Sequence, residues 1–227
     1  MKVLVVSDIH SNLAALDSVL DEVGSWDAAI CAGDIVGYGP YPEECIDRLY
    51  FKGFRCVMGN HDDAVATIET EWFNEDAQEA IRINRRQLSA ASLMWLGKLP
   101  TELMLELNGL KISVYHGSPM LPLTSYIYPE TAKMQAENFL SLTGSDVIIL
   151  GHTHIPYSIE KGSRFILNPG SVGQPRDGDP RASYLLLETC PLKAEHRRVE
   201  YSINTTVEAI DAMGLPHRFA TRLYRGT

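Results

Sequence analysis

Residues 2–10 read Lys-Val-Leu-Val-Val-Ser-Asp-Ile-His. Lys2 to Val6 is an apolar, β-branched run of the length of one buried strand. Asp8 and His10 follow it directly, and then Leu13, Leu16, Leu20 and Val23 recur at helical spacing up to Gly24. The order is therefore strand, polar loop, helix. Outward from there, Ala28 to Ala32 repeats the apolar run, Pro42 to Tyr50 has a proline in the first turn of a helix, and Arg55 to Met58 gives a third strand. A βαβαβ order implies a parallel sheet.

The character of the chain changes over residues 63–100, where Ala, Glu, Gln and Arg dominate and Trp72, Phe73, Ile81, Leu88, Leu93, Trp95 and Leu96 anchor what reads as a helical insertion. The expectation is that Trp72 and Phe73 pack this insertion, the alternative being that it overhangs the crevice and offers one of them to a base or other leaving group. Strands return as Leu103 to Leu107 and Lys111 to Tyr115 around Asn108-Gly109, a strong hairpin signal. Glu130 to Leu142 reads as a helix and Val147 to Leu150 as a buried strand, followed by strands near Phe165, Tyr184 to Leu187 and Arg197 to Tyr201. The sheet structure is thus mixed. The pattern divides the chain into a domain over residues 1–203 and a helical tail of that domain over 204–227, broken at Gly214 and Pro216. With Arg218, Arg222 and Arg225, the tail reads as a solvated helix.

The 227 residues, 45% hydrophobic and 22% charged, suffice for a core without disulfides. Cys31, Cys45, Cys56 and Cys190 have no CxxC spacing and read as reduced, buried thiols. The first apolar run is too short for a signal peptide and no later run reaches the length of a membrane span, so the expectation is a cytoplasmic protein without a membrane partner. A formal net charge of −9 disfavours polymeric nucleic acid as a partner. Small anionic substrates stay compatible, because bound divalent cations would invert the local field. Homo-oligomerisation is left open.

The chemistry lies in position. Asp8 and His10 follow the first strand, Asp34 the second, Asn60 and His61 the third, His116 the hairpin strand, and His152 and His154 the strand ending at Leu150. Carboxyl ends of strands in an open α/β sheet line one crevice, so these groups converge. Taken singly they have ordinary readings: Asp8 as a cap, Gly33-Asp34 as a turn, His116 as a structural histidine. Taken together, five of the seven histidines fall in these clusters, and burying so many unpaired polar groups without a ligand would cost several kcal/mol. A metal site is the reading that accounts for them.

In order along the chain, Asp8-x-His10, Gly33-Asp34, Gly59-Asn60-His61-Asp62, His116 and Gly151-His152-Thr153-His154 resemble the signature of the calcineurin-like metallophosphoesterases. The resemblance implies an α/β (α+β) fold, a four-layer αββα sandwich of two mixed sheets, with a dinuclear site at the strand carboxyl ends. It implies that Asp8, His10 and His154 hold one divalent transition-metal ion, that Asn60, His116 and His152 hold the other, and that Asp34 bridges them. Such mixed carboxylate, amide and imidazole ligation suits manganese, iron, zinc or nickel better than calcium, and manganese is the expectation in vitro. A metal-bridging hydroxide would attack phosphorus, and His61 would protonate the leaving oxygen.

Where the protein serine/threonine phosphatases of that superfamily carry an aspartate and an arginine, this chain has Gly37 and Tyr38. That departure argues against a protein phosphatase and leaves the orienting partner of His61 open. Residues 33–40 and 168–173 are instead similar to the small prokaryotic phosphodiesterase-type branch, related to phosphodiesterases and diadenosine-tetraphosphate hydrolases. Tyr38, Arg176 and Arg181 are candidates to contact substrate. The expected activity is hydrolysis of a small phosphodiester or nucleotide-type phosphoanhydride. A phosphomonoesterase using the same site is the alternative, and a non-catalytic scaffold of the same fold is a third reading.

Overall fold

The computed structural model describes residues 1–227. Its first half runs β1 (Lys2–Val6), α1 (Leu13–Val23), β2 (Ala28–Cys31), α2 (Pro42–Phe51), β3 (Arg55–Cys56), α3 (Asn60–Thr67), α4 (Glu75–Gln87) and α5 (Ala90–Leu96). The hairpin β4 (Glu102–Leu107) and β5 (Leu110–Tyr115) leads to α6 (Pro129–Thr143), β6 (Val147–Ile149), β7 (Tyr157–Lys161) and β8 (Arg164–Asn168). The chain closes with β9 (Ala182–Thr189), β10 (Leu192–Val199), α7 (Ile203–Ala212) and α8 (His217–Leu223).

Two five-stranded sheets result, in the orders β10-β9-β1-β2-β3 and β4-β5-β6-β8-β7. Alternation along each strand sends one set of side chains to each face. Val3 and Val5 of β1 join Ile112 and Val114 of β5 and Val147 and Ile149 of β6 in a cluster between the sheets. Leu4 and Val6, pointing the other way, pack under α1 and α2 with Leu16, Val19 and Leu49. On the far side, Ile148 and Ile166 pack under α6 with Phe139 and Leu140. The layers are helix, sheet, sheet, helix, as the resemblance implied.

The parallel parts of the two sheets matter for function. β1, β2 and β3 are mutually parallel, and so are β5, β6 and β8. Their carboxyl ends carry the loops with Asp8, Asp34, Asn60, His116 and His152. The hairpin turn falls at Asn108 and Gly109, both at positive φ, as the sequence predicts for a primed turn.

Three expectations need correction, and one strand, β7, is additional to them. It is an edge strand, exposed along most of its length. The terminal segment is not a solvated helix: Ile210, Leu215, Phe219, Ala220 and Leu223 are buried against Ala80 and Ile83 of α4. Cys190 is exposed, at the turn between β9 and β10, while the other three thiols are buried. Trp72 does not pack the insertion but stands 93% exposed. No helix is long and apolar enough to cross a membrane.

Candidate metal centre

The loops after β1, β2 and β6 are tightly wound. Asp8, His10, Asp34, His152 and His154, five of the seven expected ligands, have positive φ. Non-glycine residues adopt that conformation at a cost of about 1–3 kcal/mol each, and retain it where surrounding structure fixes it. Here the fixing groups are identifiable. Asp8 N donates to Gly33 O at 3.0 Å and His10 N to Asp34 O at 3.0 Å, so the first two loops brace one another. Gly59 lies so close to Asp34 that a Cβ on it would sit 2.1 Å from Asp34 Oδ1.

These side chains form two donor sets. In the first, His154 Nε2 is 3.2 Å from Asp8 Oδ1 and 3.1 Å from His10 Nε2. In the second, His116 Nε2 is 3.0 Å from both Asn60 Oδ1 and His152 Nδ1. Asp34 Oδ2 belongs to both, 3.6 Å from His10 Nε2 and 3.3 Å from His116 Nε2. Such separations are those of donor atoms sharing a cation with bonds near 2.0–2.2 Å.

The partners of the remaining atoms support the fit. His10 Nδ1 meets Val36 O at 3.2 Å, His116 Nδ1 meets Ala32 O at 2.8 Å, and His154 Nδ1 faces Gln174 O. A carbonyl accepts only, so each Nδ1 carries a proton, and each Nε2, once free of any proton, turns a lone pair into the cluster. The carboxylates are divided likewise. Asp8 Oδ2 accepts from Ser7 Oγ at 2.6 Å and His152 N at 3.1 Å, while buried Asp8 Oδ1 has no hydrogen-bond partner. Asp34 Oδ1 accepts from His61 N at 2.9 Å, leaving Oδ2 toward the histidines. The orphaned Asp8 oxygen and the converging lone pairs fit divalent cations.

Electrostatics agree with that fit. Burial pushes His152 down to about 3 and lowers His10 and His154, favouring neutral ligating rings. His116 goes the other way, up to about 9, because the attraction of the Asp34 carboxylate overcomes the opposing effect of burial. A divalent ion would replace that proton.

His61 sits beside the donors but is differently held. Tyr38 lies 4.4 Å from its ring centroid, Phe73 4.8 Å and His10 4.9 Å. Its buried Nδ1 has no partner. Gly37, at φ +101°, backs onto this atom, and a Cβ there would sit 2.6 Å from Nδ1. Asp62 does not orient the ring: Oδ1 accepts from Ile35 N at 2.9 Å and Val36 N at 3.0 Å, and Oδ2 from Gly59 N at 3.0 Å. Three rings, and no carboxylate, thus hold His61.

Of the candidate substrate contacts, Tyr38 and Arg176 line the crevice over Asp34, His61 and His154. Arg176 Cζ lies 5.9 Å from the Tyr38 ring centroid. Arg181 is not brought to the site, since its Nη2 is bound to Asp179 Oδ2 at 2.6 Å. Several supporting residues escaped the sequence reading. Asn84 accepts from Gly37 N at 2.7 Å and Ser11 Oγ at 2.8 Å and donates to Gly39 O at 2.9 Å, tying α4 to the Asp34 loop. Asn168 donates to Gly151 O at 2.8 Å and Thr153 Oγ1 at 3.1 Å, steadying the His152 loop. Of these, only the run containing Asn168 carried a signal, through its similarity to the small prokaryotic branch.

Comparison with known proteins agrees with this geometry. Residues 1–191 match the model of the calcineurin-like phosphoesterase superfamily domain. An uncharacterized protein of Methanocaldococcus jannaschii is 33% identical over 243 residues, covering 99% of this chain and 98% of its own. The phosphodiesterase YfcE of Escherichia coli is 29% identical over 193 residues, covering 83% and 88%. Among solved structures, a metallophosphoesterase from Sphaerobacter thermophilus superposes with a TM-score of 0.87 at 36% identity, covering 100% of this chain and 99% of that one.

Proposed function

Since the chain belongs to the calcineurin-like phosphoesterase superfamily and is a metallophosphoesterase, we propose that it hydrolyses a small phosphodiester or nucleotide-type phosphoanhydride at a dinuclear centre. The observation that carries this reading is the sharing of Asp34 Oδ2 between two donor sets. Asp8, His10 and His154 would complete one position, and Asn60, His116 and His152 the other. Bound there, two divalent ions such as manganese would supply Lewis acidity toward the phosphoryl oxygens and lower the pKa of the attacking water.

The protein's own groups do the rest. Arg176 pairs with no carboxylate, its Nη2 donating to Gln174 Oε1 at 3.0 Å, so its charge is available to a phosphate oxygen. Tyr38 presents its ring between His61 and His10 and closes that side of the crevice. His61 is the proton donor to the departing oxygen. Burial holds its pKa at about 4, against the pull of Asp34; an anionic phosphate beside it would favour the imidazolium. The naming of YfcE as a phosphodiesterase supports a diester preference, and the setting is cytoplasmic.

Purified protein loaded with manganese should turn over bis-p-nitrophenyl phosphate faster than p-nitrophenyl phosphate. A strong preference for the monoester would favour the phosphomonoesterase reading. His61→Ala should keep its metal content and lose roughly 10²- to 10⁴-fold in rate; an unchanged rate would remove His61 from the mechanism.

A further inference from the structure

Beside the metal crevice runs a second cavity of about 330 Å³, within the range that takes a small molecule. Its floor is Asn60 and His152, so it opens directly from one donor set. One wall comes from the α3–α4 connection with Glu69, Trp72 and Phe73, and the other from the β5–α6 loop with Thr124 and Tyr126. Asp63 joins Glu69 on the rim, and no lysine or arginine lines the cavity.

Both walls are pre-formed. Tyr126 stacks on His152 with centroids 3.8 Å apart. Its loop is braced internally, Ser118 N donating to Leu121 O at 3.1 Å and the Ser118 and Ser125 hydroxyls meeting at 2.7 Å. Phe73 is edge-on to His61 at 4.8 Å, so the cavity begins where the departing oxygen takes its proton. Trp72, 93% exposed, is a large planar surface without an intramolecular partner, placed on the rim of a cavity that already holds two other aromatic side chains.

From this arrangement we infer that the cavity receives the departing arm of a phosphodiester, and that this arm is planar and uncharged. The inference rests on the phosphoesterase reading above. Aromatic walls reward a flat ring by stacking, while the Asp63 and Glu69 carboxylates oppose an anionic arm. In the reaction, the oxygen of water bonds to phosphorus and the P–O bond to this arm breaks. The arm leaves as its alcohol with a proton from His61; one hydrogen of the water stays on the phosphate product and the other, released to solvent, balances the proton that restores His61. Of the two substrate types proposed above, the diester is favoured, since a departing nucleotide or phosphate would bring negative charge against the rim.

The test compares three substrates with manganese-loaded protein: bis-p-nitrophenyl phosphate, glycerophosphoglycerol, whose arms are uncharged but not planar, and ADP, whose departing nucleotide is planar but anionic. Trp72→Ala should reduce the ratio of kcat/KM for the aryl diester to that for the glycerol diester by roughly tenfold, chiefly through KM. Glu69→Lys should shift the ratio of ADP to aryl diester roughly fivefold toward ADP. Hydrolysis of the diesters with both ratios moving less than twofold overturns the cavity assignment and leaves the phosphoesterase reading standing. Failure to hydrolyse any of the three substrates overturns both.

Discussion

The floor and the roof of the crevice are built on different principles. The floor is the set of strand-end loops carrying the seven donors, several of them in left-handed backbone conformation and oriented through backbone carbonyls. The roof is helical: α4 with the α3–α4 connection on one side and α7 with α8 on the other, joined by packing around Phe219 and Ile83. Floor residues are fixed by directional hydrogen bonds that tolerate little displacement. Roof residues meet the site through ring contacts, Phe73 on His61 and Phe219 on Tyr38 of the Asp34 loop. The floor therefore offers fixed metal-competent donors, and the roof shapes what can approach them.

The largest effect should come from the floor. Asp34 supplies one oxygen to both donor sets and the other to His61 N. Asp34→Ala should therefore empty both metal positions and bring turnover to the background rate. Elemental analysis of the purified variant checks this. Retention of one equivalent of metal would show that the two sets are independent.

The roof should respond in another way. Phe219 is buried among the terminal helices, and its ring lies 4.8 Å from Tyr38, which in turn contacts His61 and His10. Phe219→Ala should cost about 3–5 kcal/mol in stability by urea denaturation. It should also lower turnover by roughly tenfold through a loosened Tyr38, with metal content retained. Loss of metal in this variant would break the division, because the roof would then be holding the floor.

The same division explains what the sequence made legible. A candidate ligand needs a metal-competent side chain, and here the candidates stand at the ends of strands, so Asp8, His10, Asp34, Asn60, His116 and the His152-Thr153-His154 run could be proposed by type and position. The Asn108-Gly109 turn was legible because only a few residue pairs suit it. Roof contacts have no such signature. Asn84 sits in a helix rich in Arg and Gln and reads as solvated; its partners Ser11, Gly37 and Gly39 lie 73, 47 and 45 positions away. The tail misled for a related reason: its apolar residues are split between two short helices, and the surface they cover belongs to α4. β7 pairs only with β8 and ends in Glu160 and Lys161, so its alternation is weak, as is usual at a sheet edge.

The smallest and most discriminating effect concerns two arginines of one loop, alike in charge and both candidates by sequence. Arg181 is half-exposed and bound to Asp179, whose carboxyl it holds at about 2. Arg176 lines the crevice, lies over Tyr38 and meets only the neutral Gln174 side chain. A guanidinium already satisfied by a carboxylate has little to offer a phosphate, whereas one facing the donors without a counter-ion can form charge-assisted hydrogen bonds with it. Arg176→Ala should thus lower kcat/KM by roughly 10- to 100-fold, whereas Arg181→Ala should leave it within about twofold. Steady-state kinetics on one diester decide the matter, and equal losses in the two variants would mean that the substrate reaches beyond the crevice to the outer part of the loop.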